Sequence, residues 1–158
     1  MAALGPASSP SPAAETVLVS RAERSALRVT AKTRLALEIL GAYGRVRWLL
    51  RRSDVVSTLE RVRGSEAESS TRTVASDGLS GERLGHAVNR TLRLLPTDSR
   101  CLMQSLVLTS LLARRQIDSS LVIGVRPAPS FAAHAWVEER GEALLPSGED
   151  HYRRLVEL

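Results

Sequence analysis

Cysteine is almost absent from this chain of 158 residues, in which Cys101 is the only one. One cysteine excludes an intramolecular disulfide and any multi-cysteine metal cluster. The three histidines, His86, His134 and His151, make no HxxxH-type pair, so we expect neither a metal site nor a cofactor. A lone thiol is typical of the reducing cytosol, and we therefore expect a cytoplasmic protein.

Aromatic residues and long apolar runs are scarce as well. Aromatic residues make up 3% of the chain, so the core must consist mainly of Leu, Val and Ala. No apolar run approaches the roughly 18 residues of a transmembrane helix, and the N-terminus lacks the charged and apolar regions of a signal peptide. We expect one domain that does not enter a membrane.

Lysine is the third scarce residue, since Lys32 is the only one among 22 basic residues and the others are arginines. With 17 acidic residues the formal net charge is +5, and such a surface attracts acidic partners. The arginines are scattered through every segment and no helix-turn-helix signal stands out, so we do not expect nucleic-acid binding.

Composition divides the chain into four segments. Residues 1–20 are rich in Pro, Ser and Ala and predict a disordered tail. Residues 21–63 have helical periodicity and predict an N-terminal helical region. Residues 64–81 are polar and aperiodic, which predicts a flexible loop. The candidates for chemistry lie in residues 82–158.

The helices of the second segment have visible boundaries. Apolar residues recur at four-residue steps from Leu27 to Ile39. Gly41 and Gly44 then interrupt the pattern, so we expect a break there. Ser53-Asp54 predicts an N-cap for the helix that follows.

In the last segment the period changes from helical to alternating. The run "CLMQSLVLTSLLARR" is apolar on most of its circumference and predicts a helix at the centre of the domain. The runs "SSLVIGVR" and "AHAWVEER" predict strands, and Arg140-Gly141 predicts a hairpin turn into "EALLPS". The final residues predict a short helix or coil. Helices followed by an antiparallel sheet make an α+β fold.

Cys101 and His134 are the candidate catalytic pair. Cys101 begins the central helix directly after a run of capping residues, and the unpaired N–H groups of a helix N-terminus stabilise a thiolate or an oxyanion. His134 lies on the strand, where an imidazole can take the thiol proton and return it to a leaving amine. The alternatives are a small buried hydrophobic residue at Cys101 and a hydrogen-bonded structural residue at His134.

From Arg100 onward the chain resembles the leader peptidases of lasso-peptide biosynthesis, which are transglutaminase-like cysteine proteases. The resemblance rests on the Cys-Leu start of a Leu-rich helix, on "LLARRQI", "LVIGV" and "FAAHAWVE", and on a terminal Tyr-Arg-Arg-Leu. The helices at about 22–63 and 82–95 also resemble the N-terminal part of that family.

The resemblance implies a peptidase that removes the leader from a ribosomally made precursor peptide. Cys101 would be the nucleophile, His134 the base, and residues 82–158 the cysteine-protease core. The match is to the stand-alone protease subunit, so a separate small protein would recognise the leader and dock on the N-terminal helices. A cyclase would then use the released amine.

One departure from the family pattern concerns the third catalytic residue. Family members carry an Asp about twelve residues beyond the His, and Pro146 stands there in this chain. Asp150 is the predicted orienting acid, although a backbone carbonyl or an amide could hold His134 instead. Without the acid, the chain could also be a catalytically silent binding module. An acyl or amide transferase with the same Cys–His pair is the other alternative.

Three further expectations concern the surroundings of the pair. Trp136 shields it from water or fills the core. Gln104 orients an oxyanion or belongs to a local network. The edge of a hairpin at about 121–147 offers main-chain groups to an extended substrate peptide.

Overall fold

The fold was determined as a computed structural model that describes residues 12–69, 79–95, 100–127, 131–144 and 152–158. In these ranges, four helices precede four strands: α1 (Pro12–Leu50), α2 (Val55–Ser69), α3 (Gly81–Leu92), α4 (Arg100–Arg114), β1 (Ser120–Arg126), β2 (Ala132–Glu139), β3 (Glu142–Ala143) and β4 (Arg153–Glu157). This confirms the α+β prediction. Within these ranges no helix combines the length and the apolarity that a membrane span requires.

The chain divides into two compact units, residues 1–35 and residues 36–158. The first unit contains the beginning of α1, where the Thr33 hydroxyl donates a hydrogen bond of 3.0 Å to the Val29 carbonyl. The second unit contains the end of α1 and all the other elements.

Helix α4 lies at the centre of the second unit, as its all-round apolar sequence predicts. It contacts α2, α3, β1 and β2. Its leucines from Leu106 to Leu112 are fully buried. At its C-terminal end, the Arg115 guanidinium donates two hydrogen bonds of 2.9 Å to the Glu38 carboxylate, which ties α1 to this helix.

The four strands form one antiparallel sheet in the order β3-β2-β1-β4. In the pairing of β1 with β2, Gly124 lies opposite His134. The predicted hairpin turn is confirmed, since Arg140 and Gly141 have φ values of 55° and 84°. Two positive φ values in a two-residue turn match the twist of the flanking strands.

The C-terminal segment corrects the expectation of a short helix or coil, because Arg153–Glu157 form β4. All five side chains of β4 are exposed, so its sequence lacks the alternation that marks a half-buried strand. Its pairing with β1 also places β1 inside the sheet. The β1 side of the predicted hairpin is therefore not the free edge that was expected to receive a substrate.

Helix α1 runs through Gly41 and Gly44 without a break, so the predicted interruption is wrong. Burial of its core face, which includes Ile39 and Val46, offsets the weak helix propensity of the two glycines.

The helices also extend into two segments that were predicted without regular structure. Helix α1 begins at Pro12, within the predicted tail, and α2 continues to Ser69, within the predicted loop. Ala13, Ala14 and Glu15 are good helix formers, which favours the early start of α1. The other parts of the predicted tail and loop, residues 1–11 and 70–78, lie outside the described residues.

The predicted cap of α2 is present in the structure. The Asp54 carboxylate accepts two hydrogen bonds of 2.9 Å from Ser57, one from its N–H at Oδ1 and one from its hydroxyl at Oδ2. These bonds, that from the Ser57 N–H first, lower the pKa of Asp54, because they favour the charged carboxylate.

Two helical glycines, one in a crowded and one in an open environment, test the packing of α3 against Leu144. A Cβ added at Gly85 would collide with the Leu144 carbonyl oxygen, whereas one added at Gly44 would meet nothing within 4 Å. We expect Gly85→Ala to lower the free energy of unfolding by about 1–3 kcal/mol. Gly44→Ala should raise it by about 0.5–1 kcal/mol. Urea unfolding of both variants measures the difference, and equal changes would contradict the packing of α3 on Leu144.

Candidate active site

Cys101 is the second residue of α4, where its side chain is half-buried. The first N–H groups of a helix have no acceptor within the helix, so those of this turn can bind a negatively charged atom near the sulfur. Arg100 beside it is exposed. The predicted capping residues Thr97, Asp98 and Ser99 lie outside the described residues.

A buried hydrogen bond joins α4 to β2 one helical turn beyond Cys101. The Ser105 hydroxyl donates to the Ala135 carbonyl over 3.0 Å. Residues four apart lie on the same face of a helix, and Ala135 directly follows His134. The bond therefore brings the helix turn that carries Cys101 and the strand segment that carries His134 to the same part of the interface.

The same hydrogen bond lies at the outer edge of β2, the edge that faces away from β1. On this edge the Val137 carbonyl accepts a hydrogen bond of 2.9 Å from Leu144, just after β3. Carbonyls of alternate strand residues point to the same side, so that of Ala135 also points outward, beyond the end of β3. The Ser105 hydroxyl supplies the hydrogen bond that a neighbouring strand would otherwise donate to this carbonyl. Helix α4 and β3 together cover most of this edge.

Two aromatic rings contact the His134 imidazole. The Trp136 ring is nearly parallel to it, with centroids 6.0 Å apart and an angle of 19° between the planes. The Tyr152 ring lies at 5.2 Å with an angle of 32°. These contacts restrict the rotation of the imidazole. Trp136 is 2% exposed, so it fills the core as one of its two expected roles requires, and its ring also adjoins the histidine.

Gly124 on β1 gives these rings their space. A Cβ at this position would come within 2.8 Å of two Trp136 ring carbons and 3.0 Å of the Tyr152 Cβ. Because Gly124 also pairs with His134, the missing side chain lets the two rings lie across β1 beside the imidazole. Glycine is required here for close approach rather than for its backbone conformation.

Glu138 fixes the position of the Trp136 ring through a hydrogen bond to the indole N–H. Its buried carboxylate accepts hydrogen bonds of 2.7 Å from the Trp136 indole N–H and of 2.6 Å from the Arg154 guanidinium. Arg154 is on β4, so this ion pair crosses β1 and connects β2 to the C-terminal strand. A buried carboxylate needs such partners, since leaving it unpaired is costly.

The third catalytic residue stays a prediction. Asp150 and Pro146 both lie outside the described residues. Gln104, the candidate for orienting an oxyanion, donates a long hydrogen bond of 3.4 Å to the side-chain oxygen of Asn89 on α3. This contact favours its membership of a local network over an oxyanion-binding role.

Two cavities lined by described residues include neither Cys101 nor His134. One of about 590 Å³ is lined by residues 116–120 and 138–141 together with Arg154 and Glu157. Residues 116–120 follow the C-terminal end of α4, about 20 Å along the helix from Cys101. Among the described residues, no three His, Cys, Asp or Glu side chains are grouped so that they could bind a metal ion.

The sequence did not single out Ser105, Tyr152, Gly124 or the Glu138–Arg154 pair. Ser105 looks like an ordinary small residue in an apolar helix, and its partner is 30 residues away. Tyr152 lies in a segment that was not recognised as adjoining a strand. Alternation along "HAWVE" is the one available signal, since it places His134, Trp136 and Glu138 on one face.

Comparison with protein families adds one finding. A family model described as the transglutaminase-like superfamily matches residues 36–157, which include Cys101 and His134. The match begins where the second compact unit begins. A search of curated proteins and a search of solved structures gave no match.

Two buried serines of α4 test the link between helix and sheet. Ser105→Ala removes the donor to Ala135 and leaves a buried carbonyl unpaired, so the free energy of unfolding should fall by about 1–3 kcal/mol. Ser110 is the matched control, because its buried hydroxyl has no hydrogen-bond partner among the described residues. Ser110→Ala should be neutral or stabilising. Equal losses in urea unfolding would mean that the bond does not hold the helix.

Proposed function

Because the chain belongs to the transglutaminase-like superfamily, we propose that it is a cysteine peptidase with Cys101 as nucleophile and His134 as general base. The observation that carries this proposal is the hydrogen bond from Ser105 to Ala135. It ties the helix turn after Cys101 to the residue after His134, and this supports the proposal that the two side chains act together. A cytoplasmic location suits the free thiol that this chemistry needs.

In the proposed reaction, His134 takes the proton of the Cys101 thiol as Sγ attacks the carbonyl carbon of the peptide bond. The carbonyl oxygen becomes negative and accepts hydrogen bonds from the first N–H groups of α4. The imidazolium then gives its proton to the leaving amine, the C–N bond breaks, and a thioester remains on Cys101. A water molecule that His134 deprotonates hydrolyses the thioester to a carboxylic acid and frees the thiol.

The orientation of His134 has two sources in this proposal. The rings of Trp136 and Tyr152 restrict the plane of the imidazole. Asp150 supplies the carboxylate that accepts the second N–H, and it precedes Tyr152 by two residues in the chain. A Cys–His pair keeps much of its nucleophile activation when the acid is lost, so Asp150→Ala should reduce the rate less than loss of His134.

The substrate in this proposal is the precursor of a lasso peptide, and the reaction releases its leader. The support is the resemblance of the region from Arg100 onward to leader peptidases of that pathway. A small leader-recognition protein brings the precursor, and a cyclase consumes the freed amine. In this proposal the substrate main chain pairs with the start of β2 next to His134, where Ala133 is exposed.

Cleavage of the precursor peptide tests the two side chains directly. With precursor and leader-recognition protein present, we expect Cys101→Ala and His134→Ala each to slow leader release at least about 10³-fold. Mass spectrometry of the products over time measures this. Ser110→Ala is the matched control and should cleave at the wild-type rate.

Each other outcome decides against the proposal in a different way. Normal cleavage by Cys101→Ala would remove the thiol from the mechanism. No cleavage by the wild-type chain would favour the silent binding module, for which Pro146 at the expected acid position is the support. A product in which the acyl group is joined to an added amine, with no free acid, would identify an acyl transferase.

A further inference from the structure

Helix α1 has a core face and, on the opposite side, an apolar face that meets solvent. Ile39, Ala42, Val46 and Leu49 are 5% exposed or less and pack into the second unit. The opposite side of the same helix carries apolar residues as well, which a helix that only covers a core does not need.

We name this second side the outer face of α1 and define it by Leu37, Leu40, Gly41, Gly44 and Trp48. These residues follow one another at steps of one, three or four, so they share one side of the helix. Leu37, Leu40 and Trp48 are 64%, 40% and 51% exposed. Exposed apolar side chains grouped on one side of a helix are typical of an interaction surface on a folded protein.

The two glycines make a shallow notch in the middle of the outer face. A Cβ at Gly41 or at Gly44 would have no neighbour within 4 Å. Each glycine weakens the helix by about 1 kcal/mol relative to alanine. Among the described residues, no packing contact requires either glycine. The two glycines leave space between Leu37 and Trp48 that a side chain of a partner can fill.

The border of the outer face is positively charged. Arg47, Arg51 and Arg52 are exposed, and the Arg52 guanidinium lies over the Trp48 ring at 4.2 Å from its centroid. Glu38 is the only acidic residue from Ala36 to Arg52, and it is paired with Arg115. A second copy of the chain would bring arginines against arginines, which opposes self-association through this face.

We propose that the outer face of α1 is the docking site of a separate protein whose contact surface is apolar and bordered by Asp and Glu. Trp48 and Leu37 are the anchors, and the notch at Gly41 and Gly44 receives an apolar side chain of the partner. The identity of this partner rests on the proposed function, in which it is the leader-recognition protein.

The two tryptophans of the chain allow a direct test. Trp48 lies on the outer face and is half exposed, whereas Trp136 is 2% exposed beside His134. Fluorine NMR of the full chain labelled with fluorotryptophan gives one resonance for each, and Trp48→Phe assigns them. Addition of unlabelled leader-recognition protein should shift the Trp48 resonance and leave the Trp136 resonance unchanged. Binding without a Trp48 shift, or no binding, overturns the proposal.

Matched leucine variants separate docking from folding. Leu37→Glu introduces a charge that the acidic border of the partner repels, and it should weaken binding at least about tenfold. Leu155→Glu on β4 is the control, because Leu155 is 63% exposed, close to the 64% of Leu37. The control should bind within about twofold of wild type, and thermal unfolding should show both variants folded. Equal affinities for the two variants contradict the assignment.

The salt dependence of binding and the binding of other molecules to the outer face of α1 provide two further tests. The association rate should fall as salt rises, because the arginine border steers an acidic partner. A rate that does not depend on salt would contradict a role for this border.

A Trp48 shift with anionic phospholipid vesicles alone would identify a membrane surface as the binding partner of this face. A dimer in sedimentation that Leu37→Glu dissociates would identify a second copy of the chain. Failure of cleavage alone leaves the docking site standing, since the Trp48 shift does not depend on Cys101.

Discussion

The hydrogen bond between the Ser105 hydroxyl and the Ala135 carbonyl is the contact on which the candidate active site depends. It replaces strand pairing at the point where β3, only two residues long, has ended. A buried carbonyl without a donor costs free energy, so helix and strand cannot separate here without loss. Cys101 and His134 flank this contact, one turn earlier on the helix and one residue earlier on the strand.

Two neighbouring aromatic rings keep the histidine in place. His134 lies against Trp136 and Tyr152, and Trp136 is in turn held by the Glu138 carboxylate. Glycine at position 124 leaves room for both rings. The catalytic candidates thus lie on elements that long-range contacts position, which is the condition for a preorganised nucleophile and base.

Sequence reasoning succeeded where the signal is local. The apolar run after Cys101 predicted a central helix, Asp54 predicted a cap, and Arg140-Gly141 predicted a turn; each depends on neighbouring residues only. It missed β4, since all of its side chains are exposed and no alternation marks it. It missed the role of Ser105 for another reason, because the acceptor of its hydroxyl is set by the tertiary fold.

The alkylation rate of the single cysteine tests the central claim most directly, since any label must be on Cys101. If His134 and the helix N-terminus activate the thiol, iodoacetamide should label the wild-type chain rapidly at neutral pH. Labelling should slow markedly in His134→Ala and also in Ser105→Ala, while Ser110→Ala reacts like wild type. Equal rates in all four proteins would contradict the account, because the imidazole would then have no influence on the sulfur.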